Sequence, residues 1–145
     1  MSFALDANIL LYASDSGSPL HERARQCLEA CAAGSEIVYL AWPTVMAYLR
    51  IATHPAIFAK PLSPQDALQN IEALLALPQV RPLGESEGFW DAFRQTAREI
   101  PARGNLVPDI HLATILRQHG VNRICTHDRD FRRFSFLKVV DPLAE

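Results

Sequence analysis

Three aspartates, far apart in the chain, stand where carboxylates could do chemistry: Asp6, Asp109 and Asp128. Asp6 closes the apolar run Phe3-Ala4-Leu5. Asp109 leads a helical stripe that continues through Leu112, Ala113 and Leu116, at i+3, i+4 and i+7, so the acid heads an inward-facing surface. Asp128 follows the apolar segment Arg123-Ile124-Cys125-Thr126, within Thr126-His127-Asp128-Arg129-Asp130-Phe131. A carboxylate in apolar surroundings needs a partner or a metal ion, because a lone buried charge is costly. Each acid also has an ordinary structural use. Asp6 and Asn8 can shape an Asx turn, Asp109 can cap its helix, and Asp128 with Asp130 can cap the turn before Phe131. Brought together, the three would repel one another unless cations sat between them. Oxygen-only ligands suit Mg²⁺ or Mn²⁺, and the chemistry that follows is phosphodiester hydrolysis, in which a metal acidifies water and neutralises phosphate charge.

The elements that must position these acids alternate along the chain. Strands are expected at Phe3–Leu5, Glu36–Ala41, Val80–Leu83, Arg123–Thr126 and Phe136–Val140. Between them, helical patterns run from about His21 to a stop at Gly34, from Pro43 to His54-Pro55, and from the Ser63-Pro64 cap to Pro78. Two more run from about Ser86 to Glu99 and from Pro108-Asp109 through Gln118, closed by Gly120. This order predicts one α/β domain over residues 1–145, with a mostly parallel sheet of about five strands covered by helices on both faces. Function in such sheets gathers at the carboxyl ends of the strands, and all three aspartates should face that edge.

A length of 145 residues suits one core. No apolar run reaches the ~20 residues of a membrane span, and the amino terminus lacks signal-peptide features, so a cytoplasmic protein is expected. Cys27, Cys31 and Cys125 read as reduced, buried thiols. The net charge of −2 argues weakly against nucleic acid, but it is unevenly spread: residues 1–79 carry −3 and residues 80–145 carry +1. The later segment holds Arg94, Arg98, Arg103, Arg117, Arg123, Arg129, Arg132 and Arg133, which could hold phosphates around an acidic pocket. The five histidines show no zinc-ligand spacing, no glycine-rich phosphate loop occurs, and no G-x-S-x-G is present.

Three stretches together resemble a known family. Phe3-Ala4-Leu5-Asp6-Ala7-Asn8-Ile9-Leu10-Leu11-Tyr12 resembles the opening of PIN domains. Gly104-Asn105-Leu106-Val107-Pro108-Asp109-Ile110-His111-Leu112-Ala113 is similar to their third acidic motif, and Thr126-His127-Asp128-Arg129-Asp130-Phe131 to their last. The resemblance runs from residue 3 to about residue 142 and is strongest to VapC, the toxin of type II toxin–antitoxin pairs. It implies a Mg²⁺- or Mn²⁺-dependent endoribonuclease, a homodimer, and a cognate antitoxin whose tail covers the active site. It makes Asp6, Asp109 and Asp128 metal-coordinating carboxylates, adds Thr126 and Asp130 to the site, and suggests Asn8 and Asn105 as hydrogen-bonding supports.

One position departs from the pattern. Such proteins carry a glutamate on the helix after the second strand, and here that position is Ala47, in Trp42-Pro43-Thr44-Val45-Met46-Ala47-Tyr48-Leu49-Arg50. No carboxylate lies between Glu36 and Asp66. Glu36 belongs at the far end of its strand, and Tyr48 sits about 100° further round the helix. Two origins are open. A deliberate Glu→Ala change would let a toxic nuclease be produced, and the otherwise intact motifs favour it; natural loss would leave a weak nuclease or a binding protein. Either way, weaker metal binding and slower cutting than with glutamate are expected. The competing readings are a non-catalytic RNA- or protein-binding module that kept the fold, and a small-molecule phosphatase, against which stands Asn8 where a second aspartate would be required.

Overall fold

The computed structural model describes residues 1–144. Its five strands are β1 (Ser2–Leu5), β2 (Ile37–Ala41), β3 (Val80–Leu83), β4 (Arg123–Cys125) and β5 (Lys138–Val140). Its six α-helices are α1 (Ala7–Ser14), α2 (His21–Ala33), α3 (Trp42–Ala52), α4 (Pro64–Leu75), α5 (Phe89–Thr96) and α6 (Leu106–Gln118), and a 3₁₀ turn covers Arg129–Arg133. All strand pairings are parallel, in the order β3-β2-β1-β4-β5. The chain therefore builds outward from β1 to one side, then returns to β4 on the other. The crevice between β1 and β4 is the switch point at which α/β sheets form their sites.

Side-chain alternation divides the sheet between two cores. Phe3, Leu5, Val38, Leu40, Val80 and Cys125 face α1 to α4, where Leu10, Ala24, Val45, Tyr48 and Ile71 meet them. Ala4, Ala41, Leu83 and Ile124 face α6, with Phe131 and Phe134 completing that layer. Helix α6 is buried nearly all round, through Ile110, Leu112, Ala113, Thr114, Ile115 and Leu116. The expected stripe below Asp109 is thus buried, within a wider apolar surface. The expected parallel sheet covered on both faces is what forms.

The helix α1 was not anticipated. The Asp6 carboxylate accepts a hydrogen bond from the Ala7 amide at 2.7 Å, so an acid that could have made an isolated turn instead starts a helix whose Ile9 and Leu10 are buried. Helix α6 begins at Leu106 rather than at Pro108, since proline is tolerated in a first turn where its missing N–H has no intrahelical partner. Asp109 is therefore not the cap but an acid in the first turn. Helix α5 is shorter than expected. Residues Ser86 and Glu87 hydrogen-bond to the Gln118 side chain, and Gly88 at φ +78° turns the chain into the helix.

Candidate active site

At the carboxyl edge of the sheet, Asp6, Asn8, Pro43, Thr44, Ala47, Asp109 and Asp128 line one cavity of about 270 Å³, with Leu11, Ile51, Leu112 and Phe131 on its apolar walls. Asp6 arrives from the end of β1, Asp109 from the first turn of α6, and Asp128 from the loop after β4.

Thr126 organises the floor. Its fully buried hydroxyl donates to Asp6 Oδ2 at 2.8 Å and accepts from Asn8 Nδ2 at 3.1 Å and from the Asp128 amide at 3.0 Å. One donor and two acceptor positions are the whole capacity of a hydroxyl. Asn8 adds a second tie, its Oδ1 accepting from the His127 amide at 3.3 Å. Asp128 Oδ1 accepts from the Asp130 amide at 2.9 Å, which starts the 3₁₀ turn. Asp128 thus serves as a cap while remaining on the cavity wall.

The acids press on one another. Burial is the main cause that raises the Asp6 pKa above the usual carboxylate range; the Thr126 and Ala7 hydrogen bonds oppose it, and Asp128 adds to it. Asp109 is pushed up to about 7, by burial first and then by Asp128, Asp6 and Asp130, with Arg133 opposing. A folded-state pKa above the unfolded value makes ionisation costly in the fold, so stability falls as pH rises from about 4 through 7. In chelator, the protein is expected to melt roughly 3–6 °C higher at pH 5 than at pH 8, after allowing for solvent screening of this half-exposed group. The difference between wild type and Asp109→Asn, followed by calorimetry across that range, isolates the contribution; parallel curves would refute it.

Oxygen atoms of Asp109, Asp128 and Asp130 lie within 4.8 Å of one another. Six-coordinate Mg²⁺ holds neighbouring oxygens about 3 Å apart and opposite ones about 4.2 Å apart, so these three need only a small closure. The donor set is all oxygen, and mutual repulsion already strains it, which is the electrostatic state a divalent cation relieves. Asp130 is drawn closer into this group than its expected supporting role required. Asp6, expected as a ligand, shares the cavity with both oxygens already engaged by Ala7 and Thr126.

Ala47 faces the cavity, so a glutamate there would project into it. Tyr48 does not: it is buried on another side, its hydroxyl bonded to Ser14 Oγ at 2.7 Å and to Asn70 Nδ2 at 2.9 Å. Glu36 lies at the other end of the sheet, 3.2 Å from Arg123. His111 points to Glu85 at 2.7 Å, away from the acids. Asn105 is exposed and makes no side-chain cap bond, so its expected supporting role is not seen. Of the arginines expected around the pocket, three have defined contacts. Arg133 reaches Asp130 at 3.9 Å, but Arg117 lies over the Phe136 ring and Arg123 pairs with Glu36.

Thr44 was missed, although it lies three residues before Ala47 and helical spacing places both on one face. Its hydroxyl is buried without a hydrogen-bond partner among the described residues. An orphaned buried polar atom costs about 1–3 kcal/mol. Thr44→Val is therefore expected to raise stability by roughly 1 kcal/mol in urea unfolding of the metal-free protein; a loss would mean that the hydroxyl is satisfied in solution.

Comparison with known proteins places the chain in a family. The chain is 43% identical over 144 residues to Ribonuclease VapC48 of Mycobacterium tuberculosis (strain ATCC 25618 / H37Rv), covering 99% of each. The structure resembles VapC20 of Mycobacterium tuberculosis, a sarcin-ricin loop cleaving toxin, with TM-score 0.68, 13% identity and coverage of 93% of this chain and 96% of that one. It also resembles VapBC2 from Rickettsia felis, solved bound to a DNA fragment from the promoter, with TM-score 0.69, 14% identity and coverage of 97% and 98%. Residues 3–137 match the PIN domain family, and with a full-length relative at that identity the chain belongs to it.

Proposed function

We propose that this chain is a metal-dependent endoribonuclease, the toxin of a toxin–antitoxin pair, in a form weakened by Ala47. The observation that carries the reading is the convergence of Asp109, Asp128 and Asp130 oxygens within 4.8 Å, with Asp109 and Asp128 lining one cavity with Asp6 at the switch point of the sheet. The ribonuclease name of the 43% identical relative supports the reaction class. The VapBC2 and FitAB complexes among the structural neighbours support an antitoxin as partner. A homodimer and a cytoplasmic location belong to the same proposal; no helix among the described residues is long and apolar enough to cross a membrane.

Asp109, Asp128 and Asp130 would hold Mg²⁺ or Mn²⁺, with Asp6 as a further carboxylate beside them. The cation would supply positive charge to the phosphodiester and lower the pKa of water. The chain's own residues do the positioning. Thr126 keeps Asp6 turned into the cavity and fixes the backbone of Asp128. Leu11, Ile51, Leu112 and Phe131 limit water on the apolar side and strengthen the electrostatics there.

The test is incubation of a labelled RNA pool with Mg²⁺, with Mn²⁺ and with chelator, using the chain as it stands, Ala47→Glu and Asp109→Asn. Cutting that needs metal and is lost in Asp109→Asn, by at least about a hundredfold, is expected. Metal-independent cutting, or equal cutting by Asp109→Asn, would overturn the site. RNA binding without cutting by any form would favour a non-catalytic binding module.

A further inference from the structure

Beside the carboxylate cavity stands a side chain that the mechanism above does not use. His127 lies between Thr126 and Asp128, and two contacts hold its ring while a third holds its backbone. Nδ1 is 2.8 Å from Asp141 Oδ2, in the first residue after β5. Tyr12 packs edge-on at 6.0 Å between ring centroids, and the His127 amide donates to Asn8 Oδ1. Asp141 is itself fixed, its Oδ1 accepting from the Leu143 amide at 2.9 Å, and its side chain is only 14% exposed against 36% for His127. A partly buried carboxylate thus orients a more exposed imidazole, at the same sheet edge as the acids.

The partner decides the ring's hydrogen-bonding pattern. A carboxylate oxygen can only accept, so Nδ1 carries the hydrogen, and Nε2 of the neutral ring presents a lone pair. Among the described residues Nε2 has no partner. It therefore seeks a donor. Phosphate oxygens only accept, and the surrounding Asp128, Asp130 and Asp141 disfavour a second phosphate there. On an RNA strand, the donor nearest to any phosphate is the ribose 2′-hydroxyl, which DNA lacks.

We propose that His127 Nε2 accepts a hydrogen bond from the 2′-hydroxyl of a ribose beside the phosphate held at the acidic cavity, with Asp141 as its positioning residue, so that this pair selects RNA over DNA. The proposal rests on the nuclease reading and goes beyond it, because it assigns discrimination between the two polymers to residues outside the carboxylate cluster.

Binding is measured at pH 8 with Ca²⁺ by fluorescence anisotropy, using a random-sequence 20-nucleotide single-stranded RNA and its all-DNA counterpart. The full chain is expected to bind the RNA roughly fivefold tighter than the DNA, the scale of one net hydrogen bond. His127→Ala should lose that preference by weakening RNA binding alone. Asp141→Ala should lose it too, by freeing the ring. His127→Gln, which keeps an acceptor, should restore part of it, with circular dichroism confirming the fold of each variant. Equal weakening of RNA and DNA in His127→Ala would mean a phosphate contact and would overturn the proposal, as would an unchanged preference. Failure of the native chain and of Ala47→Glu to bind either polymer would instead bring down the nuclease reading, and this proposal with it.

Discussion

Ala47→Glu is expected to bind Mn²⁺ about 10–100-fold more tightly and to cut RNA faster by a similar factor, the range seen when a group supporting a metal site is gained or lost. Position 47 already faces the cavity, on the same side of α3 as Thr44 and Ile51, so no backbone shift is needed to bring a new carboxylate in. The gain has a cost in the metal-free state. The cavity already pushes Asp109 up to about 7, and another acid adds like charge to a region short of water. In chelator, Ala47→Glu should therefore melt below the parent, by roughly 1–2 kcal/mol at pH 8. Saturating metal should reverse the order, because a ligand that binds only the folded state stabilises it by mass action. A pair of melting curves, with chelator and with Mn²⁺, reads both effects. Identical curves for parent and variant under both conditions would mean that the new side chain turns away. The gene's own codon at this position distinguishes a deliberate substitution from natural loss.

Thr126→Val should be the most damaging single change to the fold near the site, costing about 3 kcal/mol. It removes one donor and two accepted hydrogen bonds from a residue with no solvent exposure. Asp6 would keep its burial and lose a bond that favours its charged form, so its pKa should climb further. The Asp128 amide and the Asn8 side chain would each be left short of a partner. Unlike Asp109→Asn, which removes a charge, this variant leaves every carboxylate in place. Metal affinity should nevertheless fall about 10–100-fold, since Thr126 orients the acids without being one of them. Chemical unfolding and Mn²⁺ titration measure the two losses separately; loss of stability with unchanged metal affinity would confine Thr126 to a structural part.

The alternation of apolar runs and helical stripes made the sheet legible, because buried parallel strands carry short continuous apolar segments such as Ile37–Ala41 that few other elements require. Asp6 and Asp128 were legible from their placement after those runs, and Asp109 from the helical stripe it leads. Helix α1 was not, since Asp6 and Asn8 suit a turn as well as a helix start, and only the burial of Ile9 and Leu10 decides between them. Two contacts could not be read from periodicity or spacing, although the family resemblance already drew Asp130 to the site. Asp130 joins Asp109 through a turn whose path depends on Phe131 packing into the α6 layer. His127 meets Asp141 because β4 and β5 pair with Cys125 opposite Val140, which sets Asp141 beside Thr126 and within reach of the next side chain, His127. Arg117 and Arg123 show the reverse error: basic residues near a motif in sequence, engaged instead by Phe136 and Glu36.

The hydrogen bond from Thr126 to Asp6 joins residues 120 positions apart, and this sets when during synthesis the site can exist. A ribosome adds about 5–20 residues per second. Until β4 and the turn after it have left the exit tunnel, Asp6 has no Thr126, and Asp109 has neither Asp128 nor Asp130. The nascent chain is therefore chemically silent for most of its own translation, and any product broken off before residue 123 stays silent. Under the proposed function, a nuclease would thus emerge from the translating ribosome before its carboxylates are assembled, an interval set by strand order alone, in which an antitoxin could meet it.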